Sequence, residues 1–355
     1  MNTVFVIGAG ASAEIGMPVG NELKKNITKF LNQKDRPTET AIKQAIDGSI
    51  MLFSNEKGYD FSNLRTVADK ITTALPLAES IDNYLNAHKG NKEVEVVGKI
   101  GIVYSILHAE AYSKLKNTSV IPFTEIEKTW YTALFKKIIQ GCQIEQFKEK
   151  LKEITFITFN YDRSLEYYLY HAIQTYFDIS AEQSKSIVND IYVYHPYGQA
   201  GFLPFQDGPD FIEYGELPSA QQVYTFSKQI KTFMEGVDAN SDTYKKIVNS
   251  LVEANRVIFL GFAYYKQNID LLYPQKIHMW KKVNGTTPPF SSASIRQGAV
   301  QYYGTVLGFS ENELSTIRRQ IQSKDERVGG NTGVELYSGN CYDFFSKEYI
   351  QRIEF

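Results

Sequence analysis

Two polar residues whose side chains suit proton transfer and hydroxyl binding each follow a short apolar run of the sequence. Asn160 follows "ITFITF" and His195 follows "DIYVY", stretches of β-branched and aromatic residues that are typical of strands. A histidine with a pKa near neutrality can accept a proton from a hydroxyl group or from water. An asparagine amide can hold that same group through one donor and one acceptor, without adding charge. The pair is therefore suited to activating a nucleophile, provided that the fold brings it together.

Asn160 and Asp162 also lie just before a predicted helix that begins near Arg163. A strand-end asparagine or aspartate often caps the next helix, because its side-chain oxygen accepts N–H groups of the first turn. For Asp162 we favour this capping role, whereas for Asn160 we favour a role in the site. The histidines other than His195 lie in helical patterns or polar stretches that are typical of packing or surface residues.

A glycine-rich turn follows the first apolar run of the chain, "VFVI" at positions 4–7. Its glycines let the backbone turn sharply, and a helix is predicted to begin near Ser12. Free N–H groups at a helix N-terminus bind anions, so the turn indicates a nucleotide phosphate; a tight turn without a ligand is the alternative. The acidic residue of a dehydrogenase-type site and the lysine of a phosphate loop are both missing. The predicted contact residues are Gly8, Ala9, Gly10, Ala11 and Ser12.

Strand-like runs recur at "ITFITFNYD", "DIYVYHPYGQAG", "NRVIFLGFAYY" and "VELY", and the stretches between them have helical spacing. This alternation predicts an α/β fold with a parallel sheet. Residues 20–150 are predicted to form a long helical insertion after the first strand, with an amphipathic helix at 95–115, and a last helix is predicted at 295–322. Ligands bind at the carboxyl ends of such strands, so Gly261 and Phe262 join the predicted pocket.

Composition limits the class of protein. The chain has 355 residues, 43% of them hydrophobic, which is ample for a core, and we expect a single domain at 1–355. The net charge of −2 and the lack of a basic block give no indication of a nucleic-acid or membrane surface. The two cysteines, Cys142 and Cys341, lie too far apart in sequence for a zinc ribbon. The longest apolar run, at 257–265, is half a membrane span, so we expect a soluble cytoplasmic protein. No pair of residues has the spacing of metal ligands, so we expect no metal.

Taken in order, four motifs resemble those of the sirtuin superfamily, and more closely its bacterial branch of sirtuin-like NAD-hydrolysing antiphage defence proteins. "GAGASAEIGMP" is similar to the nucleotide loop, "TFNYD" to the catalytic-Asn motif, "YHPYG" to the catalytic-His segment and "FLGFAYYKQNIDLL" to the strand end that closes over the ribose. The resemblance implies a Rossmann-like sheet of the sirtuin type, NAD as the substrate, and catalytic roles for Asn160 and His195. It also implies contacts to NAD from Asp82 and from Cys341; an exposed helix-start carboxylate and a buried core thiol are the respective alternatives.

Two features depart from the protein deacylases of that superfamily. The loop continues as "VGNEL" where those enzymes carry Asp-Phe-Arg, and the paired cysteines of their zinc ribbon are missing. The resemblance therefore favours plain cleavage of NAD to nicotinamide and ADP-ribose. A module that senses NAD or ADP-ribose without turnover, and a deacylase or ADP-ribosyltransferase, are the alternatives. Because no separate sensor domain is evident, we expect control through a homo-oligomer or a partner, for which the resemblance suggests a HerA-type ATPase.

Overall fold

A six-stranded parallel sheet forms the centre of the protein. The structure is a computed structural model, and it describes residues 2–32, 40–116, 121–232, 235, 238–278, 280–282, 294–296, 300–328 and 333–346. The strands are β1 (Thr3–Ile7), β2 (Ile154–Thr158), β3 (Tyr192–Tyr194), β4 (Arg256–Leu260), β5 (Trp280–Lys282), β6 (Ser294–Arg296), β7 (Gln301–Thr305) and β8 (Val334–Tyr337).

The strands of the sheet have the order β3-β2-β1-β4-β7-β8, and all of their pairings are parallel. Strands β5 and β6 form a separate antiparallel pair. Without that pair the order is 3-2-1-4-5-6, the order of a doubly wound nucleotide-binding sheet. The chain reverses its direction of winding between β1 and β4, and a crevice is expected at the carboxyl ends of these two strands. The predicted α/β class is confirmed.

Strand β1 is buried on both faces, which explains its unbroken apolar sequence. Phe5 and Ile7 belong to a core shared with the long helical region, whereas Val4 and Val6 belong to a second core on the opposite face. In the ladder, Val6 lies opposite Ile157 of β2 on one side and Phe259 of β4 on the other. Strands with both faces covered carry no polar alternation, so the local sequence alone indicates a central strand.

All described elements between β1 and β2 are helical. They are α1 (Ala9–Ser12), a 3₁₀ turn (Ala13–Ile15), α2 (Gly20–Leu31), α3 (Thr40–Lys57), α4 (Phe61–Ala74), a second 3₁₀ turn (Leu75–Leu77), α5 (Ile81–Ala87), α6 (Lys92–Glu110), α7 (Trp130–Ile139) and α8 (Ile144–Lys152). The helices that follow β2 are α9 (Ser164–Phe177), α10 (Ala181–Asn189), α11 (Ala220–Ser227), α12 (Asp242–Glu253), α13 (Lys266–Leu272), α14 (Glu311–Lys324) and α15 (Cys341–Ser346). Among the described residues, no helix is both long enough and apolar enough to cross a membrane.

Helix α6 differs from the amphipathic helix predicted at 95–115. It ends at Glu110, and buried residues occur on all of its faces because α2, α3, α4 and α11 pack around it. Even Lys99 is buried, with its ammonium group paired to Glu95 and Glu235. The sequence pattern showed one apolar face, whereas the tertiary structure covers the remaining faces as well.

The last helix begins later than predicted, although it ends near the predicted residue, at Lys324. Strands β6 and β7 occupy 294–296 and 301–305, and helix α14 begins only at Glu311, after the capping residue Ser310. The Ser310 hydroxyl accepts the N–H group of Glu313, and the Glu313 carboxylate accepts the N–H group of Ser310, a reciprocal cap that marks the true start of the helix.

A fully buried ion pair joins the helical region to the sheet. The Glu110 carboxylate, at the end of α6, accepts the Arg163 backbone N–H at 3.1 Å and its Nε–H at 3.3 Å, and it also pairs with Nη2. Both side chains are completely shielded from solvent. The remaining donors of the guanidinium group bind backbone carbonyls, so no donor is left to be solvated. The carbonyl groups belong to Phe202, Ile212 and Glu213.

We expect Glu110→Ala to lower the free energy of unfolding by about 3–5 kcal/mol, because it leaves the Arg163 charge buried without its partner. Chemical denaturation followed by circular dichroism measures the change. The control is Glu149→Ala, which removes one partner of the exposed Lys152–Glu149 pair and should change stability little. A loss for Glu110→Ala no larger than that of the control would contradict the structural role of the pair.

Candidate functional site

A cavity of about 640 Å³ opens at the carboxyl ends of β1, β2, β4 and β7. It lies at the position where a doubly wound sheet binds its ligand. Nine of the eleven residues predicted from the sequence line it: Gly8, Ala9, Gly10, Ser12, Asp82, Asn160, Gly261, Phe262 and Cys341. The other two, Ala11 and His195, do not line it.

Ala11 is fully buried behind the glycine turn. Its N–H group donates to the Gly8 carbonyl at 3.0 Å, and its own carbonyl accepts the indole N–H of Trp130 at 2.9 Å. Both backbone groups are thus used within the protein. Ala11 fixes the shape of the turn from below, and the sequence could not distinguish this from a contact to a ligand.

The glycines of the turn are required for contact with another backbone segment. The Gly8 N–H donates to the Leu260 carbonyl at 2.9 Å, and the Gly10 N–H donates to the Gly261 carbonyl at 3.0 Å. A Cβ atom on Gly10 would lie 2.9 Å from Gly261 Cα, and one on Gly8 would lie 2.7 Å from the Gly261 oxygen. We expected these glycines to leave N–H groups free and to make room for a phosphate, and this expectation was wrong. The Gly10 N–H is already donated, and the space beside both residues is filled by the end of β4.

Asn160 aims its side-chain amide at the glycine turn. Its Nδ2 donates to the Gly8 carbonyl at 3.2 Å and to Ser12 Oγ at 3.0 Å. Its backbone N–H donates to Thr158 Oγ1, so the residue is held at both ends. Among the described residues, no donor contacts the amide oxygen Oδ1. Since Asn160 lines the cavity, this oxygen is the acceptor that the residue can offer to a ligand.

His195 lies behind Asn160 and uses both of its ring nitrogens within the protein. Nδ1 is 3.1 Å from the Asn160 carbonyl oxygen, and Nε2 is 2.8 Å from Glu166 Oε1. Burial alone lowers the pKa of His195, but the Glu166 carboxylate, the Asn160 carbonyl and the nearby Asp162 outweigh it, so the pKa lies above its usual value. The expectation that His195 faces the ligand directly is thus not met in this structure. The fold does bring it next to Asn160.

Asp82, on the first turn of α5, brings a carboxylate into the cavity from the helical region. Burial raises its pKa to about 6, although a long hydrogen bond of 3.5 Å from the Tyr161 hydroxyl opposes that rise. The Tyr161 hydroxyl lies nearer to the Lys231 carbonyl, at 2.9 Å. Asp82 is therefore mostly ionised at neutral pH, but it takes up a proton in mildly acidic solution. The exposed helix-start alternative does not fit a residue in this cavity.

Asp162 lines the cavity and lies directly before Arg163, the N-cap residue of α9. Its Oδ1 accepts the Ser164 N–H at 3.1 Å, so it binds the first N–H of the helix from the position before the N-cap, and the predicted N-cap role of Asp162 is not what the structure shows. Burial raises the pKa of Asp162, and hydrogen bonds from Ser164 and Ser12 oppose the rise. Its position beside Asn160 was not expected to matter for the site. It adds a second carboxylate to the same wall of the cavity.

Glu14 ties the glycine turn to two helix N-termini. One oxygen accepts the Trp130 N–H at 2.8 Å and the other accepts the Tyr342 N–H at 2.7 Å. Burial raises the pKa of Glu14, against the effect of these hydrogen bonds. With Glu79, Asp82 and Asp162 it makes four carboxylates along the cavity, and the described residues that line it include no lysine, arginine or histidine. The cavity is thus suited to a ligand that carries or develops positive charge.

Cys341 lines the cavity from the start of α15 and is almost completely buried. Burial raises the pKa of its thiol to about 12, and the contact with Thr305 Oγ1 at 3.6 Å lowers it only in part. The thiol stays protonated at neutral pH, so it is no nucleophile. Thr305 Oγ1 also accepts the Gly261 N–H at 2.8 Å, which joins the ends of β4 and β7.

Sequence reasoning missed Glu166, the partner of His195. The residue stands in "SLEYYLYHA", where a carboxylate within an otherwise aromatic and apolar helix is a signal of a buried partner. Its partner lies 29 positions further on, so the pairing becomes visible only once β2 and β3 lie side by side. Neither the known protein-family models nor the curated proteins include a match to this chain.

We expect Gly261→Ala to destabilise the protein more than Gly308→Ala. Both residues have a positive φ, +55° and +80°, so alanine adds a similar backbone strain of about 1 kcal/mol at each. At Gly261 the new Cβ would also lie 1.9 Å from the Ala11 nitrogen, whereas at Gly308 no described atom lies within 4 Å. Thermal melting of both variants tests the difference, and equal losses would mean that the contact between the turns adjusts freely.

Proposed function

We propose that this chain is a NAD glycohydrolase, which cleaves the bond between nicotinamide and ribose to give nicotinamide and ADP-ribose. In this reaction water adds to the anomeric carbon, the nicotinamide leaves with the electron pair of the C–N bond, and one proton is released. The observation that carries the proposal is that one cavity joins the glycine turn to the Asn160 amide and to four carboxylates. Bound NAD is the only cofactor-like molecule in the proposal, and it is consumed.

The charge of the cavity supports a ligand of this kind. The nicotinamide ring of NAD is a cation, and bond cleavage transfers positive charge to the ribose as an oxocarbenium-like carbon forms. Carboxylates such as Asp82 and Asp162 favour both species in a buried site, where a charge interaction is stronger than in water. The diphosphate of NAD gains nothing from these carboxylates and would have to rely on donors other than the Gly8, Gly10 and Ala11 N–H groups, which are already used within the protein.

Asn160 is proposed as the residue that holds the ribose hydroxyl groups or the attacking water through Oδ1. Its amide is already fixed by Gly8 and Ser12, so little freedom is lost when a ligand binds. His195 is proposed as the proton acceptor. To act, its Nδ1 must exchange the Asn160 carbonyl for a ligand hydroxyl or water, a rearrangement that ligand binding can bring about.

A module that binds NAD or ADP-ribose without turnover is the second candidate. The same cavity would serve it, and the fully engaged His195 favours it over an acyl-lysine deacylase or an ADP-ribosyltransferase. Either of these two enzymes would need a groove for a second substrate, the acyl-lysine or the ADP-ribose acceptor, and nothing in the described residues suggests such a groove. Nicotinamide release decides between the binding module and the glycohydrolase.

The wider role follows from the resemblance described above. We propose a sirtuin-type sheet with a helical insertion, working in the cytoplasm as a NAD-depleting effector of antiphage defence. An enzyme that depletes NAD must be held inactive, so control by a homo-oligomer or by a HerA-type ATPase belongs to this proposal. Light scattering and NAD cleavage, with the chain alone and with such an ATPase, test it.

We expect purified protein to release nicotinamide from NAD and Asn160→Ala to lower the rate about 100-fold, because the ribose or the water loses its fixed position. Chromatography of nicotinamide and ADP-ribose measures both. Asn160→Asp keeps the shape of the side chain and serves as a second variant, and Asn312→Ala, at an exposed site on α14, is the control. Binding of ADP-ribose with no nicotinamide release would favour the sensing module.

We expect the KM for NAD to fall several-fold as the pH rises from about 5 to 7, because Asp82 ionises with a pKa of about 6 and then attracts the cationic ring. The carboxylate is neutral below that pKa and charged above it, so the effect is lost in acid. Asp82→Asn should hold KM near its acidic value across the range. A variant that keeps the wild-type dependence would assign it to another group.

A further inference from the structure

The carboxylate of Glu166 stands directly against the imidazole of His195, in the interior of the protein. Glu166 lies on the first turn of α9, and its side chain is 5% exposed, against 8% for that of His195. Oε1 is 2.8 Å from Nε2, and Oε2 has no hydrogen-bond partner among the described residues. Burying a carboxylate with one oxygen unsatisfied is costly, so the pair has to be explained by more than packing.

The two neighbours of the ring determine where its protons lie. An ionised carboxylate and a backbone carbonyl can only accept, so the two contacts of the ring are both hydrogen bonds only when each ring nitrogen donates, that is, when the ring is an imidazolium. Loss of one proton leaves a choice of nitrogen. The carboxylate is the stronger acceptor, so the remaining proton stays on Nε2. Nδ1 then holds a lone pair that faces the Asn160 carbonyl oxygen, an unfavourable contact that favours a new partner for Nδ1.

We propose that Glu166 is a positioning residue that acts through His195, by holding the proton on Nε2 so that Nδ1 is the nitrogen that accepts a proton from the substrate. The inference rests on the proposed function, NAD cleavage. In the step concerned, an O–H bond of the attacking water breaks, an N–H bond forms at Nδ1, and the water oxygen bonds to the anomeric carbon as the C–N bond breaks. Where a ribose hydroxyl gives up the proton instead, the water that adds to the anomeric carbon returns a proton to that ribose oxygen. Glu166 then balances the charge of the imidazolium, while the nicotinamide leaves with the C–N electron pair.

A single residue, Asn160, separates Nδ1 from the cavity. Nδ1 touches the carbonyl of Asn160, and the side chain of the same residue lines the cavity and holds the glycine turn. Besides Glu166, Asp162 acts electrostatically on His195 and raises its pKa, and Asp162 also lines the cavity. A carboxylate behind an imidazole fixes the tautomer and stabilises the charged ring in other acid–base sites as well.

A purely structural ion pair would need the same two residues but would predict no effect on proton transfer. Nuclear magnetic resonance of the ring nitrogens separates the two roles. In wild-type protein we expect His195 to titrate above the usual value of about 6.5 and to keep its proton on Nε2 when neutral. In Glu166→Gln the titration should move down by a unit or more, a tenfold or greater loss of proton affinity. Glu182→Gln, at an exposed site on α10, is the matched control and should leave it unchanged.

The pH profile of kcat tests the catalytic part. With NAD as substrate we expect kcat to rise with pH as His195 deprotonates, and we expect the inflection to move to lower pH in Glu166→Gln. The plateau should fall about 100-fold, within the usual range for a perturbed general base, while KM stays within about twofold. Melting temperature and calorimetric binding of ADP-ribose establish that the variant is folded.

The outcomes separate this inference from the proposed function. Wild-type protein that releases no nicotinamide overturns the proposed function, and the catalytic role of Glu166 with it. Nicotinamide release with the same pH profile and plateau in Glu166→Gln overturns the inference alone. If Glu166→Gln does not fold, the wild-type tautomer decides: a neutral His195 protonated on Nδ1 contradicts the inference, and one protonated on Nε2 supports it.

Discussion

The position of the site depends on the buried ion pair between Glu110 and Arg163. Two charges without solvent are tolerated only when every donor and acceptor is satisfied, and Arg163 meets this condition by binding the carboxylate and three backbone carbonyls. These partners come from the end of α6 and from the segment at 202–213. Because Arg163 follows Asn160 by three positions, fixing its guanidinium group also fixes the turn that presents the Asn160 amide. The helical region, the β2–α9 turn and that segment are thus held by one set of hydrogen bonds.

A second constraint is the close approach of two backbones beneath the cavity. Gly261 packs against the glycine turn so tightly that any side chain there would overlap the Ala11 nitrogen. The turn at the end of β1 and the turn at the end of β4 therefore form one tightly packed unit beneath the cavity. Adaptation to a ligand has to come from side chains on the walls, such as Asp82 on α5, and from His195, which lies behind the wall residue Asn160.

The sequence predicted the sheet and most of the cavity because their signals are local. An apolar run followed by a small or polar residue marks a strand end wherever it occurs, and parallel strands bring such ends together. The features that it could not predict depend on contacts between distant segments. Helix α6 is covered on all faces, Gly10 packs on Gly261, and the buried Glu166 carboxylate contacts one ring nitrogen of His195. In each case the residue type was noticed or noticeable, but its partner lies far away in the sequence. The first part of the helix predicted at 295–322 was wrong for a related reason, because β6 and β7 owe their conformation to strand pairing, whereas its second part is helical in α14.

The acidic walls of the cavity have a consequence for the proposed reaction. A carboxylate such as Asp82 or Glu14 repels the diphosphate of NAD, so it weakens ground-state binding of that part of the ligand. The same carboxylates attract the positive charge of the nicotinamide ring in bound NAD, and they continue to attract this charge as it moves to the ribose when the C–N bond breaks. Interactions that favour the transition state more than the bound substrate raise kcat, whereas those that favour both equally lower KM alone. In the proposed reaction the carboxylates therefore act against binding of the diphosphate and in favour of the positively charged part of the ligand, both before and during bond cleavage, and they raise kcat only where the second effect is the larger.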